Sequence, residues 1–432
     1  MDINELEGIL LSHPDLSNLP TKEQLDIITE RSKHIVGNER LKELFQEAQK
    51  TKRPIRIKYG IDATGKELHL GHAIPLFVLR RLQKMGHEIT LLIGDFTAQI
   101  GDPSGRVTSR PILTKEEIQD NAARFKEQAA KIIDIEKTIV RFNTEWLNDF
   151  KLSKFLQICG SLTVASAMQR EDFRNRETIT RAEMLYSTLM AIDSVVLGAE
   201  IELGGDDQLL NFHDTKRVMH NEGMQPQVAI TTELLLGTTG DGRKMSKSYG
   251  NYISLTEDGS SMFGKFMSIK DEQLEQYFKL LTDIRNVQWD ELDKAMKSGT
   301  IHPMEVKRLL ARVVISDLSD REAARIAEED FQKRVVEKVL PEDIKKLTIA
   351  ADKATSWLEI LDTIKLPQVK SRADIRRLMK EGGVHDITDP ETSVIIQLTS
   401  VLPRHDIVYT LRVGKRTYVQ FIIKKHSEEK PE

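Results

Sequence analysis

Cysteine is almost missing. Cys159 stands alone in 432 residues, so no intramolecular disulfide framework exists and a reducing compartment is expected. Its neighbours Leu156, Ile158 and Leu162 suit a small core residue. Long apolar runs are absent too. None approaches a membrane span, and the acidic start lacks a signal-peptide pattern, so the expected location is the cytoplasm. A strong charge of one sign is also lacking: 63 Lys and Arg against 67 Asp and Glu leave −4. That balance does not advertise a nucleic-acid binder, and any nucleic-acid contacts would have to come from local basic patches. No Gly-x-Gly-x-x-Gly occurs, so a dinucleotide site is not indicated. What is present, 39% apolar and 30% charged residues, fits a soluble globular protein of two or three domains with a large core.

The most informative stretch is Tyr59-Gly60-Ile61-Asp62-Ala63-Thr64, closing on His69-Leu70-Gly71-His72. Ile55 and Ile57 alternate with Arg56 and Lys58, as in a half-buried strand. Gly60, Thr64 and Gly65 break that pattern. From Ile74 an apolar stripe through Phe77, Val78, Leu82 and Met85 predicts a helix that stops at Gly86. The two histidines then sit at a helix N-terminus, where free N–H groups and the helix dipole favour phosphate. Three residues apart, they can donate toward one anion, while Gly71 lets a bulky group lie against the backbone. A bare capping role and a His-x-x-His metal pair compete with this, but two ligands do not make a metal site.

A distant element bears on the choice. Gly242-Arg243-Lys244-Met245-Ser246-Lys247-Ser248-Tyr249-Gly250-Asn251 puts two lysines three apart in a stretch of Gly, Ser and Thr that begins at Gly237. Such a segment reads as a mobile surface loop. Its ammonium groups suit a polyphosphate whose charge shifts during reaction. The bland alternative is a solvated charged loop.

The order of elements supports an open sheet. Residues 1–50 read as helices, the strand–loop–helix unit follows, and Glu88 to Ile93 is a short apolar strand. This β-α-β alternation predicts an α/β fold with a doubly wound parallel sheet, its ligand loops at the carboxyl ends of strands. Residues 112–196 read as mostly helical. Ala199 to Leu203 and Val228 to Thr231 are further strands, and the charged stretch from about 260 to 350 reads as helical. The best boundary lies near 350–364. In the tail, Ser371 to Lys380 forms a helix with Arg372, Arg376 and Lys380 four apart on one face, and Arg377 beside them.

His-Leu-Gly-His early and Lys-Met-Ser-Lys-Ser late resemble the paired signatures of class I aminoacyl-tRNA synthetases. Ile93-Gly94-Asp95-Phe96-Thr97, Ile100 to Arg106 and Gly204-Gly205-Asp206-Asp207-Gln208 resemble the bacterial-type tyrosyl enzymes. The likeness covers almost the whole chain, most specifically about residues 55–255. It implies a Rossmann-like catalytic domain over 1–255 with a helical insertion at about 112–196. A helical anticodon-side domain over 256–350 and a small α+β S4-like RNA-binding domain over 365–428 would follow. It also implies ATP with its Mg²⁺ as cofactor, a tyrosine-specific tRNA and L-tyrosine as partners, and a homodimer with no membrane association.

The resemblance assigns roles as well. Thr64, His69, Lys244 and Lys247 would hold the β- and γ-phosphates, joined by Arg106 and Arg110 on loop closure. His72, Gly60, Asp62, Gly71, Met245 and Ser246 would face the nucleotide. Asp207, with Gly205 beside it, would bind the ribose. Asp193 would accept a hydrogen bond from the phenol, near Lys58. Tyr186 and Asp102 would hold the ammonium group, Gln208 would lie near the carboxylate, and Thr97 would line the pocket. Arg372, Arg376, Arg377, Lys380, Lys415 and Arg416 would contact RNA. Val413 to Tyr418 resembles the closing strand of the S4 domain, although the usual Asn-Gly turn is replaced by His385 to Ser393.

The chain departs from the pattern at three places. Met190 replaces a glutamine that binds the ammonium group, Lys58 replaces a common tyrosine, and Asp206 replaces a small Ser or Thr. Asp206 either compensates for Met190 or signals another substrate. Two alternatives to a tyrosine–tRNA ligase follow: a paralogue adenylating a tyrosine analogue or other aromatic acid, and a non-catalytic RNA-binding protein. Intact His69, His72, Lys244, Lys247 and Asp207 argue against the second.

Overall fold

The computed structural model describes residues 2–424 apart from 104–112, 169–172, 174–177, 334–343, 345, 367–368, 370, 390–391 and 415–416. The chain divides into two compact units, Met1–Glu329 and Asp330–Glu432.

A six-stranded sheet organises the first unit. Its strands are β1 (His34–Val36), β2 (Arg56–Asp62), β3 (Glu88–Gly94), β4 (Thr138–Phe142), β5 (Ile201–Gly205) and β6 (Val228–Thr232). They lie in the order β1-β6-β5-β2-β3-β4. All neighbours are parallel except β1 and β6. From β2 the chain builds outward through β3 and β4, then returns past β2 to build β5 and β6. The winding reverses between β2 and β5. A crevice opens there at the carboxyl ends of the strands, where ligands of such sheets bind.

Being central, β2 is covered on both faces. Ile57 and Tyr59 are buried, as expected, but Lys58 is buried as well, at 1% exposure. The apolar–polar alternation there does not mark a solvent face. Two strands also interrupt stretches that read as helical. β1 lies within the first fifty residues. β4 lies within 112–196, where Thr138, Ile139 and Val140 extend the sheet as its outermost strand. Cys159, expected in the core, is only half-buried.

The helix Leu70–Lys84 packs against β3 and β5 and buries an almost continuous apolar surface. Its far end is anchored by ions. Arg80 reaches Asp317 at 2.9 Å and Asp283 at 3.2 Å, Arg81 reaches Asp283 at 2.8 Å, and His13 meets Asp317 at 2.6 Å. Against the upward push of burial, Arg81 and Arg80 hold the Asp283 carboxyl well below its ordinary range. The helix Arg181–Leu197 packs on Leu209–Asn221. It begins with a reciprocal cap: Glu183 accepts from the Thr180 N–H, and Thr180 Oγ1 from the Glu183 N–H.

Among the described residues the second unit holds a five-stranded sheet packed with the α-helices Trp357–Ile364 and Arg372–Lys380. Its strands are β7 (Lys346–Ala350), β8 (Val384–Asp386), β9 (Val394–Ile395), β10 (Val408–Val413) and β11 (Thr417–Lys424), in the order β7-β11-β10-β8-β9. The helical reading of 260–350 therefore ends in a strand. Val413 to Tyr418, read as one strand, instead spans the end of β10 and the start of β11. Trp357, Ile360 and Leu361 from one helix, and Ile375 and Met379 from the other, close over Leu411 and Phe421. Among the described residues no helix is long and apolar enough to cross a membrane.

Candidate active site

A cleft of about 960 Å³ opens at the crevice between β2 and β5. One end is built from the two signature motifs. They are distant in sequence but are stitched together by backbone. The Leu70 N–H donates to the Ile253 carbonyl at 3.0 Å, and the Leu255 N–H to the Leu68 carbonyl at 2.9 Å.

His69 caps the helix, its Nδ1 accepting from the Gly71 N–H at 3.1 Å. His72 Nδ1 accepts from the His69 N–H at 3.3 Å. The rings stack with centroids 3.8 Å apart. An Nδ1 that accepts carries no proton, so each neutral ring presents an Nε2–H donor. Burial, then the neighbouring His72 and lysine charges, push the His69 pKa down to about 2. Burial and the two lysines push His72 down to about 4. Both are therefore neutral donors at physiological pH. A methyl group on Gly71 would fall 2.9 Å from the His69 ring; glycine leaves room for that ring, and Gly71 itself lines the cleft.

The lysine loop is tied to itself by side chains. Asn251 Oδ1 accepts from the Ser246 N–H at 2.8 Å, its Nδ2 donates to the Lys244 carbonyl at 3.1 Å, and Met245 is buried. Lys244 and Lys247 both line the cleft with Thr64. Lys247 Nζ donates to the Glu67 carbonyl at 2.5 Å, beside the histidines. This end offers neutral N–H donors and ammonium groups to an anion.

The other end is rich in acceptors. Asp62 Oδ1 accepts from Thr97 Oγ1 at 2.6 Å, and Oδ2 from the Tyr186 hydroxyl at 3.1 Å. Burial, with the charge of Asp102 adding to it against those hydrogen bonds, raises the Asp62 pKa to about 7. Asp102 Oδ2 accepts from Gln208 Nε2 at 2.6 Å. Asp193 Oδ1 accepts from Trp146 Nε1 at 2.9 Å, and Oδ2 from Asn143 Nδ2 at 3.2 Å. Burial raises it to about 7 despite Lys58. Asp207 opens onto the cleft with Gly60 and Gly205; enclosure, then Asp102, raises its pKa.

The cleft brings together Lys58, Gly60, Asp62, Thr64, His69, Gly71, His72, Thr97, Asp102, Tyr186, Met190, Asp193, Gly205, Asp207, Gln208, Lys244, Met245, Ser246 and Lys247. It does not include Asp206, which turns away to Lys33 at 2.7 Å and Thr231 at 3.2 Å. Arg106, Arg110, Lys415 and Arg416 lie outside the described residues. In the second unit Arg372, Arg376, Arg377 and Lys380 are all exposed. Arg372 pairs with Asp362 at 2.8 Å, and Arg377 with Asp374 at 3.2 Å. Sequence reading missed Asn143 and Trp146. Asn143 is fully buried and also donates to Thr97 Oγ1 at 3.0 Å. Recognising β4 as a strand would have placed it at a carboxyl end.

Residues 49–336 match the family described as tRNA synthetases class I (W and Y). The chain is 36% identical over 405 residues to the tyrosine–tRNA ligase of Desulfotalea psychrophila, covering 93% of this chain and 98% of that one. It is 40% identical over 385 residues to that of Aquifex aeolicus, covering 87% and 94%. Among solved structures it is similar to the tyrosyl-tRNA synthetase of Archaeoglobus fulgidus complexed with L-tyrosine. There the TM-score is 0.60 at 25% identity, over 71% of this chain and 99% of that one. With its two signature motifs facing one cleft and this likeness along almost its whole length, the chain belongs to the tyrosyl-tRNA synthetase family of class I synthetases.

Proposed function

We propose that the protein activates L-tyrosine with ATP and transfers it to the 3′ end of a tyrosine tRNA. The observation that carries this is the polarity of the cleft, with anion donors at one end and buried carboxylates at the other. The tyrosine carboxylate attacks the α-phosphate of ATP, the bond to the β-phosphate breaks, and pyrophosphate leaves. The ribose 3′-terminal hydroxyl of tRNA then displaces AMP.

Negative charge grows on the leaving pyrophosphate. The Nε2–H groups of His69 and His72 and the ammonium groups of Lys244 and Lys247 stabilise it, with Thr64 beside them. Lys247 exchanges the Glu67 carbonyl for phosphate. Arg106 and Arg110 join them. Asp207 accepts from the ribose hydroxyls. Mg²⁺ would come with ATP and neutralise its phosphates, and among the described residues no cluster of three His, Cys, Asp or Glu stands ready to hold it. Tyr186 donates to Asp62, so Asp62 joins Tyr186 and Asp102 in holding the ammonium group rather than facing the nucleotide as first expected; Gln208 steadies the carboxylate, and Asp193 accepts a hydrogen bond from the phenol.

The exposed Arg372, Arg376, Arg377 and Lys380, with Lys415 and Arg416, serve as RNA contacts, and helices after residue 256 face the anticodon side. Two copies pair through the region from β4 to Met168. Exposed Ile139, Phe142, Leu152, Leu156, Val164 and Met168 support that reading, as does the outermost position of β4. The expected compartment is the cytoplasm.

Tyrosine-dependent ATP–pyrophosphate exchange and charging of tyrosine tRNA test the proposal, and an enzyme that exchanges with neither tyrosine nor any other acid overturns it. Met190 favours a second reading. It lines the cleft without an amide, and Asp206 faces elsewhere. The substrate would then be a different aromatic acid, which a screen of carboxylic acids would find by faster exchange than tyrosine supports.

A further inference from the structure

Behind the carboxylate end lies a group of charged side chains that the reaction above leaves unused. Lys58 on β2 and Glu202 on β5 are each 1% exposed. They are direct partners across the two parallel strands, so their side chains leave the sheet on one face. Lys58 Nζ lies 2.8 Å from Glu202 Oε1. It also donates to Ser194 Oγ at 2.8 Å and to the Met190 carbonyl at 3.3 Å. Ser194 donates in turn to Glu202 Oε2 at 3.0 Å, and Gln227 donates to that same oxygen. Burial of lone charges would cost several kcal/mol each, which this pairing offsets. Two hydrogen bonds and the Glu202 ion pair hold the Lys58 ammonium behind the pocket. Its influence on the pocket is electrostatic.

Asp193 is the group it reaches, the residue next to Ser194 on the same helix. Trp146 and Asn143 each donate one hydrogen bond to it, and its oxygens can accept more. Of the charges facing it, Lys58 favours the ionised form and Glu202 opposes it, while Tyr186 faces it as a neutral phenol. A phenol donating to a carboxylate makes a charge-assisted bond, roughly twice as strong as one between neutral groups.

We propose that the Lys58–Glu202 pair, braced by Ser194 and Gln227, is a positioning element that fixes the charge on Asp193 and so sets how strongly the pocket prefers a hydroxylated aromatic acid over its deoxy analogue. This rests on the tyrosine reading of the cleft. Without Lys58, Glu202 and Asp193 are two neighbouring carboxylates in a buried space, and one of them takes up a proton. Without Glu202, Lys58 acts on Asp193 alone.

The test uses the full-length enzyme and pyrophosphate exchange. The ratio of kcat/KM for tyrosine to that for phenylalanine is followed from pH 5.5 to 8.5. Lys58→Met should move the midpoint of that ratio upward by on the order of one pH unit. Glu202→Gln should move it downward, and the double variant should return toward the starting value. Opposite shifts from two variants of one cluster are not what lost packing produces. If both single variants slow tyrosine and phenylalanine alike with the midpoint unmoved, the proposal is overturned. If Lys58→Met does not fold, Glu202→Gln alone decides: a downward midpoint supports it, an unmoved one overturns it. An unmodified enzyme that fails to exchange with tyrosine overturns the tyrosine reading itself, an outcome distinct from an active enzyme with unmoved midpoints.

Discussion

The two ends of the cleft solve opposite problems. At the histidine end, burial keeps imidazoles neutral, so they serve as donors beside two cations. At the carboxylate end, burial raises Asp62 and Asp193 to about 7, so they are poised to ionise fully only when a donor arrives. Low dielectric is used in both places, once to strip charge from a base and once to hold it back from an acid. The difference teaches that this site recognises a partner bearing negative charge at one end and donors at the other.

The comparison can be broken most severely at the histidine end. His69→Ala should lower tyrosine-dependent exchange by about 10²–10³-fold, as for a lost transition-state donor, with the KM for tyrosine little changed. Steady-state kinetics check it, and unchanged kcat would assign His69 to capping alone. At the opposite end, Asp193→Ala should erase the preference for tyrosine over phenylalanine. A hydrogen bond to a charged group is worth about 1.5–3 kcal/mol, roughly 10- to 150-fold in the kcat/KM ratio, and a retained preference would contradict the assignment.

A third change sharpens the contrast by geometry. A Cβ on Gly94 would lie 2.3 Å from both Asp62 Oδ1 and Thr97 Oγ1. Gly94→Ala should break their hydrogen bond, destabilise the fold by about 1–3 kcal/mol and raise the KM for tyrosine more than that for ATP. Thermal melting with kinetics would show it; an unchanged Tm would mean the loop yields freely.

The smallest effect concerns pH. The depressed pKa values of His69 and His72 give stability that is present above about 6.5 and lost as pH falls toward 4 and below. The raised pKa values of Asp62 and Asp193 act the other way: their contribution is full below about 3.8 and lost as pH rises through about 7. Replacing both histidines by glutamine should therefore flatten the acid side of the Tm profile, whereas Asp62→Asn should flatten the neutral side. Parallel changes in the two variants would refute the opposition.

Much of this site was legible because its chemistry sits on short motifs at strand ends, where Gly, His and Asp have few packing excuses. The missing parts share a cause. Alternation in β2 reports one apolar face but not whether the other is covered, so the strand read as half-buried and only the family resemblance put Lys58 in the pocket. A five-residue strand among helices, β4, carries too little periodicity to announce itself, and Asn143 and Trp146 were hidden with it. Asp206 and Asp207 are neighbours in sequence yet turn to different surroundings. The lysine loop is held by the Asn251 side chain and by Met245, whose burial neither composition nor charge reveals.

The ion cluster at the foot of the helix Leu70–Lys84 carries one further consequence. Fifteen residues of helix span about 22 Å, so Arg80 and Arg81 act as the mount of a pointer whose tip is the histidine pair. A shift of about 1 Å at such a tip costs on the order of a hundredfold in rate. Asp283 and Asp317, which no reactant ever meets, thus govern aim.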